Sequence, residues 1–397
     1  MLLDTAAASG TGSVDRLMAE LLPSARKLFG MEVAFVSEFH KGRRVFRYVD
    51  CQDGAKLITV NGSDPLEESY CQRIVDGRIP ELLQDATCNV EAMKLPVTLA
   101  LPVGAHLSVP IRFSSGCVYG TFCCFSRQPD ATLSCRDVAT MRFFADIVGK
   151  VLEDRQSVEI ARQAVMKRLR EMLDQRRYAT IFQPIFDIAS NHPVGYEALA
   201  RFQSDPYRPP NEWFDDATNV GLLAELECTM RGDALRYLGS LEGSTYLSLN
   251  VTPVAVLAKD FAASFDGHPL NRLVLEITEH DSVDDYEMIA RALAPLRQQG
   301  LRLAVDDAGA GYASFRHILK LKPDIIKLDR SLIQQIDTSR DHRALASALV
   351  QFSRSVGSQV IAEGVETPEE LSALRDLGVQ LAQGYLLGKP QSIQLIG

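Results

Sequence analysis

Two adjacent carboxylates, Asp306 and Asp307, close the apolar run Leu301–Val305 and open a glycine-rich loop, Ala308–Gly311. A pair of acids at a strand end offers hard oxygen ligands of the kind a divalent cation takes. Alone, the pair reads more simply as a cap of the next helix (Asp307) beside a solvated acid (Asp306). The rest of the chain decides between them, because the same arrangement recurs. Val194–Tyr196 runs into Glu197, Thr245–Leu249 into Asn250, and Leu273–Leu275 into Glu276 with Glu279 beyond. Asp324–Ile326 runs into Lys327, Gln359–Ala362 into Glu363, and Val379–Ala382 into Gln383, while Gln183 sits inside Ile181–Ile185. Acids packed this closely repel unless something positive lies between them. Two divalent ions suit so many carboxylates better than one.

The elements that must position these residues are strands alternating with helices. Helical stretches at Glu212–Leu241, Val283–Gln299, Asp341–Val356 and Pro368–Leu377 separate most of the apolar runs. Eight strands over residues 179–397 predict an α/β fold of the (β/α)8, TIM-like kind, for which ~250 residues is typical. In that fold the loops after the strand C-termini carry the chemistry, so the polar tips would meet at one mouth.

The remainder of the 397 residues is too much for the same core, so a second domain is expected. Residues 14–150 read as α+β. Val14–Phe29 is helical, Glu32–Phe39 and Val45–Val49 form a hairpin, and His106–Ile111 and Cys117–Phe125 flank a turn. Between the two domains, residues 137–178 predict a long helix. Met141, Phe144, Val148, Val151, Val158, Val165, Leu169 and Met172 step by three and four, interrupted at Arg155 and Arg162. The stripe fits either a parallel coiled coil in a homodimer or a helix lying on its own domain.

A net charge of −9 argues against direct DNA binding. No apolar run approaches the ~20 residues a membrane span needs. The start, with no basic segment before an apolar one, predicts a cytoplasmic protein. The eight cysteines show no CxxC pair and read as free thiols. A thiol sensor is the sharper alternative. Cys71 is a candidate reactive thiol, but no basic partner that would lower its pKa is visible. His40 and His106 could be ligands, although a lone histidine in a sheet is more often structural.

The segments YEALAR (196–201), LSLNV, LEITE, VDDAGAGYASF, IIKLDRSL, IAEGVE and QGYLLGKP, in this order, resemble the EAL-domain family of cyclic-di-GMP phosphodiesterases. The resemblance covers essentially all of 179–390. It implies a modified barrel that linearises cyclic di-GMP to pGpG with Mg2+ or Mn2+. By motif, Glu197, Asn250, Glu276 and Asp306 resemble the ligands of a first ion. Asp306 would bridge to a second ion held with Asp307, and Glu363 is similar to a residue that is either ligand or general base. Lys327 resembles the lysine beside the attacking water and phosphate. Gln183, Leu199, Arg201 and Gln383 resemble positions lining the substrate or its waters, and Glu279 the acid that steadies the loop after Asp307. Such chemistry agrees with the residue types, since phosphodiester hydrolysis at neutral pH suits two ions and a nearby cation.

The loop departs from the commoner family pattern DDFGTG, with Ala308 in place of phenylalanine and Ala310 in place of threonine. Neither is a metal ligand, so the departure bears on loop coupling. A catalytically silent receptor for the dinucleotide, or a protein-interaction module, is the alternative function, yet every motif ligand is present. A dinucleotide fold is disfavoured because GAGYAS lacks the third glycine of G-x-G-x-x-G. Residues 14–150, with SYCQRIVDG, LPVGAHLSVPI and VYGTFCCF, resemble a GAF domain, which implies a sensor whose small-molecule ligand is unknown.

Overall fold

Val33–His40 (β1) and Arg43–Cys51 (β2) form an antiparallel hairpin. Its turn, Lys41-Gly42, has positive φ at both residues, which matches the twist of the flanking strands. The structure is a computed structural model that describes residues 9–52, 57–277, 285–308 and 312–395. The chain divides into two compact units at Gln163/Ala164.

In the first unit, Ser63–Pro65 (β3), Leu82–Leu83 (β4), Ala105–Arg112 (β5) and Val118–Ser126 (β6) complete a six-stranded sheet of order β3-β2-β1-β6-β5-β4. All its pairings are antiparallel. Because strand side chains alternate between faces, the sheet feeds two cores. Ala34, Val36, Phe122 and Cys124 join Met18, Leu22, Met141 and Val148 on one side. Val33, Phe35, Cys123 and Phe125 join Tyr70, Cys71 and Ile74 on the other. His106 is buried and stacks on Tyr70, whereas His40 is exposed at the strand end.

The helix Cys135–Asp174 stops short of the expected 178, and strand begins at Tyr178 after Arg176 takes a positive φ. Its apolar stripe is not one continuous free seam. Met141 and Val148 sit in the first unit's core, while Leu169 and Met172 pack with Phe202, Trp213 and Leu226 of the second. Only the middle is open, with Val158 65% exposed.

The second unit is a closed eight-stranded barrel. Its strands are Tyr178–Asp187 (β7), His192–Phe202 (β8), Tyr246–Asn250 (β9), Leu273–Ile277 (β10), Arg302–Ala308 (β11), Ile325–Leu328 (β12), Gln359–Ala362 (β13) and Leu381–Ala382 (β14). They close in the order β10-β11-β12-β13-β14-β7-β8-β9. A uniform (β/α)8 repeat is not what forms. β7 runs antiparallel to both β8 and β14, while every other pairing is parallel. The link from β7 to β8, residues 188–191, is far too short for the crossover a parallel pair requires. Nor does β8 end before Glu197; it continues to Phe202 because Leu199, Ala200 and Arg201 pair with β7. The expected helix Glu212–Leu241 is two helices, Pro210–Val220 and Leu223–Leu235, parted where Gly221 caps the first at φ +80°.

Outward-facing Leu247, Leu249, Leu273, Leu275, Ile326 and Val360 pack beneath the helices. Inward, Ile185, Tyr246, Val274, Ala304, Ile325, Ile361 and Leu381 form an apolar plug. Gly195 belongs to the same level, where a Cβ would lie 2.6 Å from the Tyr246 ring. Among the described residues no helix is long and apolar enough to cross a membrane.

Candidate active site

Two residues further along each parallel strand, the inward position turns from apolar to polar. Tyr246 is followed by Ser248, Val274 by Glu276, Ala304 by Asp306, Ile325 by Lys327, Ile361 by Glu363, Leu381 by Gln383 and Gly195 by Glu197. On the reversed β7 the step runs backwards, from Ile185 to Gln183. A strand's period of two thus builds a polar layer directly on the plug.

Lys327 is at the centre of this layer, 1% exposed. Its Nζ lies 2.6 Å from Glu363 Oε1, 2.7 Å from Glu276 Oε2, 3.3 Å from Asp306 Oδ2 and 3.6 Å from Glu197 Oε2. Burial alone would favour the neutral amine, but the carboxylates of Asp306, Glu197, Glu276 and Glu363 outweigh it and hold its pKa well above the ordinary value. Charge is still unbalanced, with four acids around one ammonium. Burial pushes Glu276 up to about 8, with the charges of Glu197 and Asp306 adding to the effect against Lys327. Glu363 is likewise held well above the usual carboxylate range, by burial first and the neighbouring Asp306 next. Glu197 goes the other way. Burial opposes its ionisation, but Lys327 and the amides of Gln383 and Asn250 prevail.

Those amides form a chain across the barrel closure. Gln383 Nε2 donates to Glu197 Oε2 at 2.6 Å and to Gln183 Oε1 at 3.1 Å, and Asn250 Nδ2 donates to Glu197 Oε1 at 3.0 Å. Gln183 Nε2 in turn donates to the Gly388 carbonyl. Gln383 Oε1 is buried without a hydrogen-bond partner among the described residues. Ser248, which the sequence reading passed over, donates to Glu276 Oε1 at 2.5 Å. Its signal was the alternation in YLSLN, where Ser248 shares a face with Tyr246 and Asn250.

In a regular strand Asp306 and Asp307 would face opposite sides. The pairing of β11 with β12 slips between Val305 and Ala308, and Asp307 takes a left-handed φ of +56°. This bulge re-aims Asp307. Ligand oxygens of Asp306, Asp307 and Glu363 consequently lie within 4.8 Å of one another. Hard oxygens in that number, with acids already short of positive charge, fit a divalent cation. Ala308 is buried at the end of β11. Glu279 and Ala310 lie outside the described residues.

Leu199 and Arg201, on the extended part of β8, line a cavity of about 520 Å3 with Phe214, Met230, Asn250 and Val254. Asn250 is shared between this cavity and the acid cluster, through its bond to Glu197.

The family model of the EAL domain matches residues 166–390. The chain is 28% identical over 231 residues to a probable cyclic di-GMP phosphodiesterase, PdeD, of Escherichia coli K12, covering 56% of this chain and 43% of that protein. It is 30% identical over 234 residues to the cyclic di-GMP phosphodiesterase NbdA of Pseudomonas aeruginosa, covering 56% and 30%. The solved structure of the PaMucR phosphodiesterase in complex with c-di-GMP aligns at a TM-score of 0.54 and 25% identity, over 59% of this chain and 100% of that one. The chain spans less than half the length of the curated relatives it matches.

Proposed function

The chain belongs to the EAL-domain family, and on that premise we propose that it hydrolyses cyclic di-GMP to linear pGpG in a metal-dependent reaction. The observation that carries this reading is the single inward layer in which Glu197, Glu276, Asp306 and Glu363 surround Lys327. Glu197, Asn250, Glu276 and Asp306 would hold one Mg2+ or Mn2+, and Asp306, Asp307 and Glu363 a second. When bound, such ions offset the mutual repulsion of the acids, lower the pKa of water and stabilise charge on the phosphate oxygens.

The chain's own groups do the rest. The amides of Gln383 and Asn250 fix both oxygens of Glu197, so the carboxylate cannot rotate away from the cluster. Lys327 contributes a compact positive charge for the scissile phosphate. Leu199 and Arg201 give the dinucleotide an apolar wall and a cation beside Asn250, in a cavity of about 520 Å3. Gln183 steadies Gln383 from the neighbouring strand β7. Residues 14–150 form a GAF-like sensor domain; an antiparallel sheet with a packed core on each face supports that reading.

Incubation of the purified chain with cyclic di-GMP and Mg2+ or Mn2+, followed by chromatography, tests the activity. The expected product is pGpG, lost on chelation and in Glu197→Ala. Retained binding without turnover under either ion would move the reading to a receptor.

A further inference from the structure

The first unit buries a second charged cluster, unrelated to the barrel. Arg44, on β2, is 5% exposed, and Cys71 and Cys123 are 0% exposed. Arg44 Nη1 lies 3.2 Å from Cys71 Sγ, and its other nitrogens pair with both oxygens of Asp64. Cys71 Sγ is 3.6 Å from Cys123 Sγ. Cys123 is held in turn by Ser108 Oγ at 2.8 Å and Thr121 Oγ1 at 3.1 Å. Arg44 stands 27 residues from Cys71 in the sequence, and the fold supplies it as the basic partner of that thiol.

Thiols are common core residues, but a guanidinium is a poor choice for filling a core. Burying an arginine is costly unless it is paired and hydrogen-bonded. Asp64 pairs it from the rim, but the Nη1 side faces a sulfur, which satisfies that nitrogen well only as a thiolate. Burial would raise Cys71, yet the bond from Cys123 and the charge of Arg44 bring it down to about 5. Burial and the adjoining Cys71 push Cys123 well above the ordinary thiol. One sulfur is thus the ionised nucleophile and its neighbour the protonated partner, as in a pair of attacking and resolving thiols.

We propose that Cys71 and Cys123 are a redox-modification site that a small hydroperoxide converts to an intramolecular disulfide. The Cys71 thiolate attacks one peroxide oxygen; an S–O bond forms, the O–O bond breaks and hydroxide leaves. That hydroxide takes the Cys123 proton and becomes water. The Cys123 thiolate attacks Cys71 sulfur, forming the S–S bond and expelling a second hydroxide. The proton Cys71 released on ionising neutralises it. In sum, two thiols and one hydrogen peroxide give one disulfide and two waters, the sulfurs losing two electrons and the peroxide oxygens gaining them. Arg44 keeps its charge throughout and retains Asp64 when the thiolate is gone. Access requires only local opening around Tyr70–Val75, a six-residue helix.

The test treats the folded full-length chain with hydrogen peroxide, blocks remaining thiols and maps peptides by mass spectrometry without reduction. The expected result is a Cys71–Cys123 linked peptide, two hydrogens lighter than its parts and restored by reductant. The exposed thiols Cys88, Cys117, Cys135 and Cys228 serve as internal controls for oxidant dose. Cys123→Ser should give no link and accumulate a dimedone adduct on Cys71. Oxidation of the exposed thiols with no Cys71–Cys123 link in the unaltered chain overturns the proposal, whether or not the variant folds. An adduct in Cys123→Ser that avoids Cys71 overturns its assignment as the attacking sulfur.

Discussion

Lys327 Nζ and Glu276 Oε2 pair at 2.7 Å with each side chain 1% exposed, which makes them the most deeply buried ion pair in the barrel's polar layer. Removing one partner of such a pair strands the other. Lys327→Met should lower the stability of the metal-free protein by about 3–5 kcal/mol, less whatever the acids regain by taking up protons. Added Mn2+ should recover part of that loss, because a divalent ion returns the positive charge the cluster lacks. Hydrolysis should stay abolished. Thermal denaturation with and without Mn2+ measures both effects, and an unchanged metal-free melting temperature would remove the case for Lys327 as counter-charge.

Beneath that layer, the Tyr246 ring fills the space where Gly195 has no side chain. Gly195→Ala should therefore cost roughly 1–3 kcal/mol as an overpacked core. Tyr246→Phe should be neutral or stabilising by about 1 kcal/mol, since the Tyr246 hydroxyl is buried without a partner among the described residues. Urea unfolding followed by Trp213 fluorescence reads the effect, as Trp213 is the chain's one tryptophan and belongs to the barrel unit. Equal stability of the two variants would contradict this packing.

How far the site could be read in advance follows from strand periodicity. Glu276, Asp306 and Glu363 each end a visible apolar run, as does Lys327, so the acids and a cation at one end of the strands were legible in the sequence. The reversal of β7 was not, because an apolar strand looks the same in either direction; only the short link 188–191 betrays it. Glu197 was legible as an acid but not as a mid-strand residue, since its extension depends on pairing with β7. The Gln383–Glu197–Asn250 chain joins residues 186 and 53 apart in sequence, the first pair brought together by closure of the barrel and the second by the parallel pairing of β8 with β9. Lys327 was visible as a cation for phosphate, while its enclosure by four carboxylates was not. Asp307 required a bulge that no composition rule announces. Arg44 and Cys71 meet because Arg44 shares with Phe46 the face of the sheet on which the helix Tyr70–Val75 packs, which neither residue's neighbours in sequence announce.

The buried histidine of the first unit, His106, makes that unit's stability pH-dependent with a definite sign. Burial, and then the charge of Arg44, push His106 from an ordinary 6.5 down to about 3. Between those values the unfolded chain binds a proton that the folded one does not, so stability rises with pH across this window. Acidification from pH 6.5 toward 3 should remove on the order of 4 kcal/mol through this group alone. His106→Phe keeps the stacking on Tyr70 and should abolish that part of the dependence. Denaturation followed by far-ultraviolet circular dichroism, with Trp213 fluorescence separating the barrel, gives the comparison. A difference between the two proteins that stays flat from pH 6.5 to about 4 would show that His106 does not titrate as buried.

Asp307 combines a conformational demand with a chemical one, and two substitutions separate them. Its φ of +56° suits asparagine and aspartate but strains alanine by roughly 1–2 kcal/mol. Asp307→Asn therefore preserves the bulge and removes only the carboxylate charge, whereas Asp307→Ala loses both. If the carboxylate holds a metal ion with Asp306 and Glu363, both variants should lose hydrolysis by a similar factor, about 100-fold, and need more Mn2+ for half-maximal rate. Only Asp307→Ala should also melt earlier. If the bulge alone matters, Asp307→Asn should keep its activity while Asp307→Ala loses it. The first outcome follows from the geometry, because the bulge brings an oxygen of Asp307 within 4.8 Å of oxygens of Asp306 and Glu363, the spacing that one divalent ion would bridge.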